Sequence, residues 1–127
     1  MLPQRAVCEP SPQFIKDLAL PVLDLAHLRR FTLGSVAFER EIMGLFAAGL
    51  NHTIAALDAA ECAAQWHMAA HTLKGSAMGV GASRLAAVAR DAEQMKYLSP
   101  AERGAVMSRI RAAIQEVLKE TARLNLL

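Results

Sequence analysis

The sequence predicts an all-α protein: an antiparallel up-down four-helix bundle preceded by a short N-terminal helix. Three observations predict it. Apolar residues recur at spacings of three and four over long stretches, and no segment alternates with period two. Alanine is abundant while aromatics make up only 5% of the chain, a composition suited to closely packed helices. Cap signals separate the stretches by short connections, which favours antiparallel neighbours. With 127 residues and 54% hydrophobic content, the chain suits one compact domain with its own core.

Residues 1–20 read as a leader. They hold Pro3, Pro10 and Pro12 and suggest at most a turn of helix from Phe14 to Leu18. The bundle is expected over residues 21–127. Asp24 can cap a short helix to about Arg30, with Leu25 and Leu28 inward. Gly34 and Ser35 open a long helix with Val36, Phe38, Ile42, Leu45, Phe46, Leu50, Ile54 and Leu57 as its apolar positions. Gly49 and Asn51 weaken its middle. Asp58 to Glu61 has the form of a capping box. The next helix carries a seam of Cys62, Trp66, Ala69, Leu73, Ala77 and Val80, ended by Gly79 and Gly81. Ala64, His67, His71, Lys74 and Met78 form its opposite face. A third helix is expected from Ala82 to Tyr97, with Leu85, Val88, Ala89, Ala92 and Met95 inward. Ser99-Pro100-Ala101-Glu102 starts the last, which buries Val106, Ile110, Ala113, Ile114, Val117, Leu118 and Leu124.

The net charge of +2 is mild and the basic residues are interspersed with acids, so a nucleic-acid footprint is not supported. Cys8 and Cys62 are far apart; Cys62 falls on the core seam, and neither a disulfide framework nor a zinc site is expected. No apolar run is expected to span a membrane, and the N-terminus lacks the order of a signal peptide. The reading is a cytoplasmic protein.

The chemistry concentrates in His71-Thr72-Leu73-Lys74-Gly75-Ser76. On a helix, Lys74 and Gly75 at i+3 and i+4 flank the His71 ring. An interior glycine costs roughly 1 kcal/mol relative to alanine. Access to His71 offsets that cost, unless Gly75 serves close helix packing. His67, one turn before, reads as a surface histidine beside the site. A His67–His71 metal pair lacks a third ligand. Met68 and Met78 suit an exposed docking patch, and Arg84 could add positive charge.

These residues, with Gly81-Ala82, Leu85 and Glu93 downstream, resemble the signature of histidine-containing phosphotransfer (HPt) domains, the four-helix phosphocarriers of two-component phosphorelays. The resemblance covers roughly residues 24–125. Met78-Gly79-Val80 is less polar than the family often is there, and Ala92 replaces a common leucine. The resemblance implies that His71 accepts and donates the phosphoryl group, that Lys74 assists electrostatically and that Gly75 keeps space for the partner. It also implies the partners, which are response-regulator receiver domains and a hybrid sensor histidine kinase. An unperturbed imidazole titrates near about 6.5, and a cation at Lys74 favours its neutral, nucleophilic form. No carboxylate cluster surrounds His71 in sequence, and no P-loop or kinase glycine-rich loop is present. The chain therefore reads as a monomeric carrier rather than an enzyme, without a cofactor of its own, the Mg²⁺ coming from the receiver. Two alternatives stand beside it: a non-phosphorylated helical adaptor bundle, and a histidine-kinase dimerisation-type module.

Overall fold

The computed structural model describes residues 18–95 and 99–127, and among these it is all-helical. The helices are α1 (Leu25–Thr32), α2 (Val36–Ala59), α3 (Ala63–Val80), α4 (Ser83–Gln94) and α5 (Pro100–Arg123). Phe14 and Tyr97 lie outside the described residues.

Local chemistry sets the boundaries. Asp24 caps α1 by accepting the His27 amide at 3.1 Å. Leu33 and Gly34 both take positive φ, so the chain turns sharply before Ser35 caps α2 through the Phe38 amide. Gly81, at φ +85°, ends α3, with Ala82 N donating to Ala77 O at 2.8 Å. Gly79 lies inside α3 and takes no part in the stop. Ser99 and Glu102 satisfy each other's backbone amides in a complete capping box, with Pro100 in the first turn. The expected capping box at Asp58 does not form. Asp58 lies within α2 and its carboxylate pairs with Arg111 at 2.8 Å. The residue that precedes α3 is Cys62, exposed and making no side-chain cap, so it does not belong to the core seam. It sits at the N-cap in extended backbone, so its helical spacing from Trp66 does not bring it onto the seam.

The core joins all five helices around Leu28, Met43, Leu57, Leu73, Leu85, Ile110 and Val117, each essentially inaccessible to water. Truncating one such leucine to alanine typically costs about 2–5 kcal/mol. Helix α3 packs against α2 on one side and most extensively against α4 on the other. Ala70, Ala77, Ala89 and Ala92, all buried, let α3 and α4 approach closely. Three sets of contacts fix how the helices lie. Trp66, early in α3, donates its indole N–H to Ala92 O near the end of α4 at 2.8 Å. Arg84 and Asp91 of α4 pair with Glu116 and Arg109 of α5. Arg40 of α2 reaches Asn125 O beyond α5, while Arg103 of α5 reaches Leu57 O.

The buried stripe of α2 differs from the expected one. It runs through Glu39, Met43, Phe46, Leu50, Thr53 and Leu57, while Val36, Phe38 and Leu45 are exposed. Two polar residues are tolerated on it because each finds a partner. Thr32 donates to Glu39 Oε2 at 2.7 Å and Arg29 lies 3.5 Å from the same oxygen, while Thr53 back-bonds to Gly49 O. The helix continues through Gly49 and Asn51 without interruption. By length and composition α2 is also long and apolar enough to cross a membrane, contrary to expectation. Its buried stripe is nonetheless part of the bundle core.

Candidate functional site

Helix α3 presents the expected two faces. Trp66, Ala69, Leu73, Ala77 and Val80 are buried, while His67, Met68, His71 and Met78 are exposed and Lys74 is half-buried. The site arises where α4 ends beside the outer face. Helix ends leave carbonyls without intrahelical partners, and α3 supplies them: Trp66 takes Ala92 O and His67 Nδ1 donates to Glu93 O at 3.0 Å. These bonds pin the last turn of α4 and aim the Glu93 side chain along α3.

The Glu93 carboxylate, only 10% exposed, then holds both residues of the histidine motif. Its Oε2 accepts from His71 Nδ1, and its Oε1 accepts from Lys74 Nζ at 2.6 Å. A carboxylate has no proton to give, so the hydrogen lies on Nδ1 and the lone pair of the neutral ring on Nε2. The His71 side chain is 65% exposed. The arrangement is an imidazole oriented from behind, with its nucleophilic nitrogen accessible. Glu93 belongs to the motif by resemblance, yet its role as the clamp was not read from the sequence. Residues 71 and 93 meet only through the α3–α4 packing. The Lys74 charge therefore does not act on His71 alone, because the carboxylate lies against both.

The Lys74 ammonium and, second, the His71 ring hold the Glu93 carboxyl below the ordinary carboxylate range, against an opposing effect of burial. Since the folded value lies below the unfolded one, the stabilisation from the clamp is complete above the ordinary carboxylate range. It is lost as pH falls through the lowered value. The expected outcome in an NMR titration is that the Glu93 carboxyl protonates below the ordinary carboxylate range. A midpoint within or above that range would contradict the clamp.

Gly75 lies beyond His71 on the same face. A Cβ built there meets nothing within 4 Å, so close packing does not explain the glycine. Gly75→Ala should therefore raise stability by about 0.5–1 kcal/mol in chemical denaturation, the helix-propensity gain. Gly75→Gln should stay folded while obstructing approach to His71.

His67, Met68 and His71 line one open cleft with Glu93, Gln94 and Met95. Met78 lines a different one with Lys74 and Arg90. Arg84 is engaged elsewhere, donating to the carbonyls of Leu18 and Leu20 and pairing with Glu116. Arg90, beside Lys74, is the basic residue of α4 that sequence reasoning passed over. Among the described residues no group of three or more His, Cys, Asp or Glu side chains could hold a metal ion.

The family model for the Hpt domain matches residues 41–122, more than half of the chain. The chain belongs to the Hpt-domain family, whose members carry phosphoryl groups in phosphorelay signalling together with response-regulator receiver domains. No curated protein and no solved structure matches it.

Proposed function

We propose that this chain is a phosphocarrier that relays a phosphoryl group between receiver-domain aspartates through His71, on an antiparallel four-helix bundle formed by α2 to α5. The observation that carries the proposal is the exposed His71 ring with Nδ1 donating to Glu93, which leaves the Nε2 lone pair without a partner among the described residues. The Nε2 lone pair attacks the phosphorus of the aspartyl phosphate. An N–P bond forms, the P–O bond to the aspartate breaks, and the carboxylate leaves as an anion. Nδ1 keeps its proton, so the phosphorylated ring is cationic and Glu93 balances it. Lys74 spends one of its three N–H donors on Glu93. The other two suit phosphoryl oxygens, whose charge must be spread in the transition state. The receiver brings Mg²⁺ and the acidic pocket, so the carrier needs neither. Met68, beside His71, and Met78 offer exposed apolar contact for that partner.

The chain buries its own core, consistent with a monomer acting in the cytoplasm between a hybrid sensor kinase and a response regulator. Incubation with a phosphorylated receiver should place acid-labile, base-stable label on the wild type and none on His71→Gln. Label that persists in His71→Gln would overturn the assignment.

A further inference from the structure

His67 does more than cap a helix end. Its Nδ1 faces the Glu93 carbonyl, which can only accept, so that nitrogen carries a hydrogen and Nε2 is the atom that gains or loses a proton. Nε2 lies 4.0 Å from Glu93 Oε2, the same oxygen that accepts from His71. The two imidazoles stack nearly parallel, with centroids 6.3 Å apart and planes at 11°. Both side chains are largely exposed, at 60% and 65%. Among the described residues, the titratable groups that face His67 are His71 on its own helix and Glu93 on α4; Met68, Gln94 and Met95 complete the cleft. Lys74, two turns along α3, holds Glu93 Oε1 and has two further donors for phosphoryl oxygens, but as an ammonium it has no further proton to take up.

A phosphoryl group on His71 Nε2 brings roughly two negative charges into this cleft. Phosphorylation also makes the His71 ring cationic and so increases its demand on Glu93 Oε2. His67 Nε2, on the ring stacked beside His71 in the same cleft, is then a site where a proton can balance the phosphoryl charge. Resting on the reading of His71 as phosphoacceptor, we propose that His67 is the counter-cation of the phosphorylated state, binding a proton on Nε2 when His71 is phosphorylated and releasing it when the phosphoryl group leaves. Linkage is reciprocal: if the phosphoryl group favours a proton on His67, that proton favours the phosphoryl group on His71. Loading of the carrier is then pH-dependent through a residue that never forms the N–P bond.

The test uses the full chain, loaded with potassium phosphoramidate and followed by NMR through the neutral pH range. The imidazole ¹⁵N signals of His67 should titrate about one pH unit higher in the loaded protein than in the free protein. The ³¹P signal of the phosphohistidine should show a titration step that follows His67 and disappears in His67→Gln. His67→Gln, at an exposed position, keeps a donor for Glu93 O and should remain folded, and its ³¹P signal is read from the fraction that phosphoramidate loads on His71. Loading of His71 with no change in the His67 titration, or a ³¹P step unchanged in His67→Gln, would overturn the proposal while leaving His71 as acceptor. Loading absent from His71 in the wild type would overturn that reading and the counter-cation with it.

Discussion

Replacing Glu93 by alanine is expected to slow phosphoryl transfer to His71 by about 10- to 100-fold, the magnitude found when the carboxylate that orients a metal-bound histidine is removed. Three functions are lost together. The His71 ring loses the acceptor that fixes its tautomer. Lys74 loses its partner and its placement. The cationic phosphoimidazole loses its counter-charge. Stability should change little, because ion pairs close to the surface contribute little to folding. The backbone contacts of the α4 terminus remain, since Trp66 and His67 bond to carbonyls rather than to the Glu93 side chain. Glu93→Gln separates these functions: its amide oxygen still accepts from Nδ1 but carries no charge, so its loss should be smaller. Single-turnover transfer from a phosphorylated receiver, with a thermal melt of each variant, checks the expectation. An alanine variant that transfers at the wild-type rate would show that the clamp is dispensable.

Gly81→Ala is expected to destabilise the fold by roughly 2–3 kcal/mol. Gly81 sits at φ +85°, where an L-residue costs roughly 1–2 kcal/mol. A Cβ there would also lie 2.8 Å from the Asp24 carbonyl oxygen, which is backbone and cannot swing aside. Relief requires moving the peptide whose neighbouring amide, Asp24 N, donates to Gly81 O at 2.7 Å, and a lost bond of this kind costs about 1 kcal/mol. At this chain length the midpoint of thermal unfolding should fall by roughly 10 °C. The effect reaches the site, because the same turn sets the α3–α4 packing that brings Glu93 to His71. Gly75→Ala is the internal control: one glycine is required by geometry and the other is not. A Gly81→Ala melting point equal to that of the wild type would contradict the turn as described.

Much of this was legible in the sequence, and the reasons are specific. The seam from Trp66 to Val80 read correctly because its two faces differ sharply in polarity at helical spacing. Ser99, Pro100 and Glu102 announced α5 because a capping box is local chemistry. The misreadings arose where a neighbour decides. Glu39 and Thr53 are polar yet buried, and what permits Glu39 is a hydroxyl contributed by Thr32 in another helix. Phe38 and Leu45 are apolar yet exposed, since the stripe beside them already fills the core. Asp58 had the composition of a cap but was recruited by Arg111, 53 residues away in sequence. Within the candidate site, the placement of His71, Lys74 and Gly75 on the outer face of α3 was readable from their spacing. The clamp was not: no carboxylate lies near His71 in sequence, and the register of α4 against α3 that supplies one is a tertiary property. Arg84 carried the right charge, but the Leu18 and Leu20 carbonyls and Glu116 hold it.

The central claim is that His71 Nε2 carries the phosphoryl group. The most direct measurement incubates the full chain with a phosphorylated receiver domain and locates the bound phosphoryl by fragmentation mass spectrometry under neutral to basic conditions, with ³¹P NMR to identify the nitrogen. The account predicts one phosphoryl group per chain, on His71, with the signature of an Nε2 linkage. A phosphoryl group on His67, or none on the chain while the receiver hydrolyses its own, would contradict it.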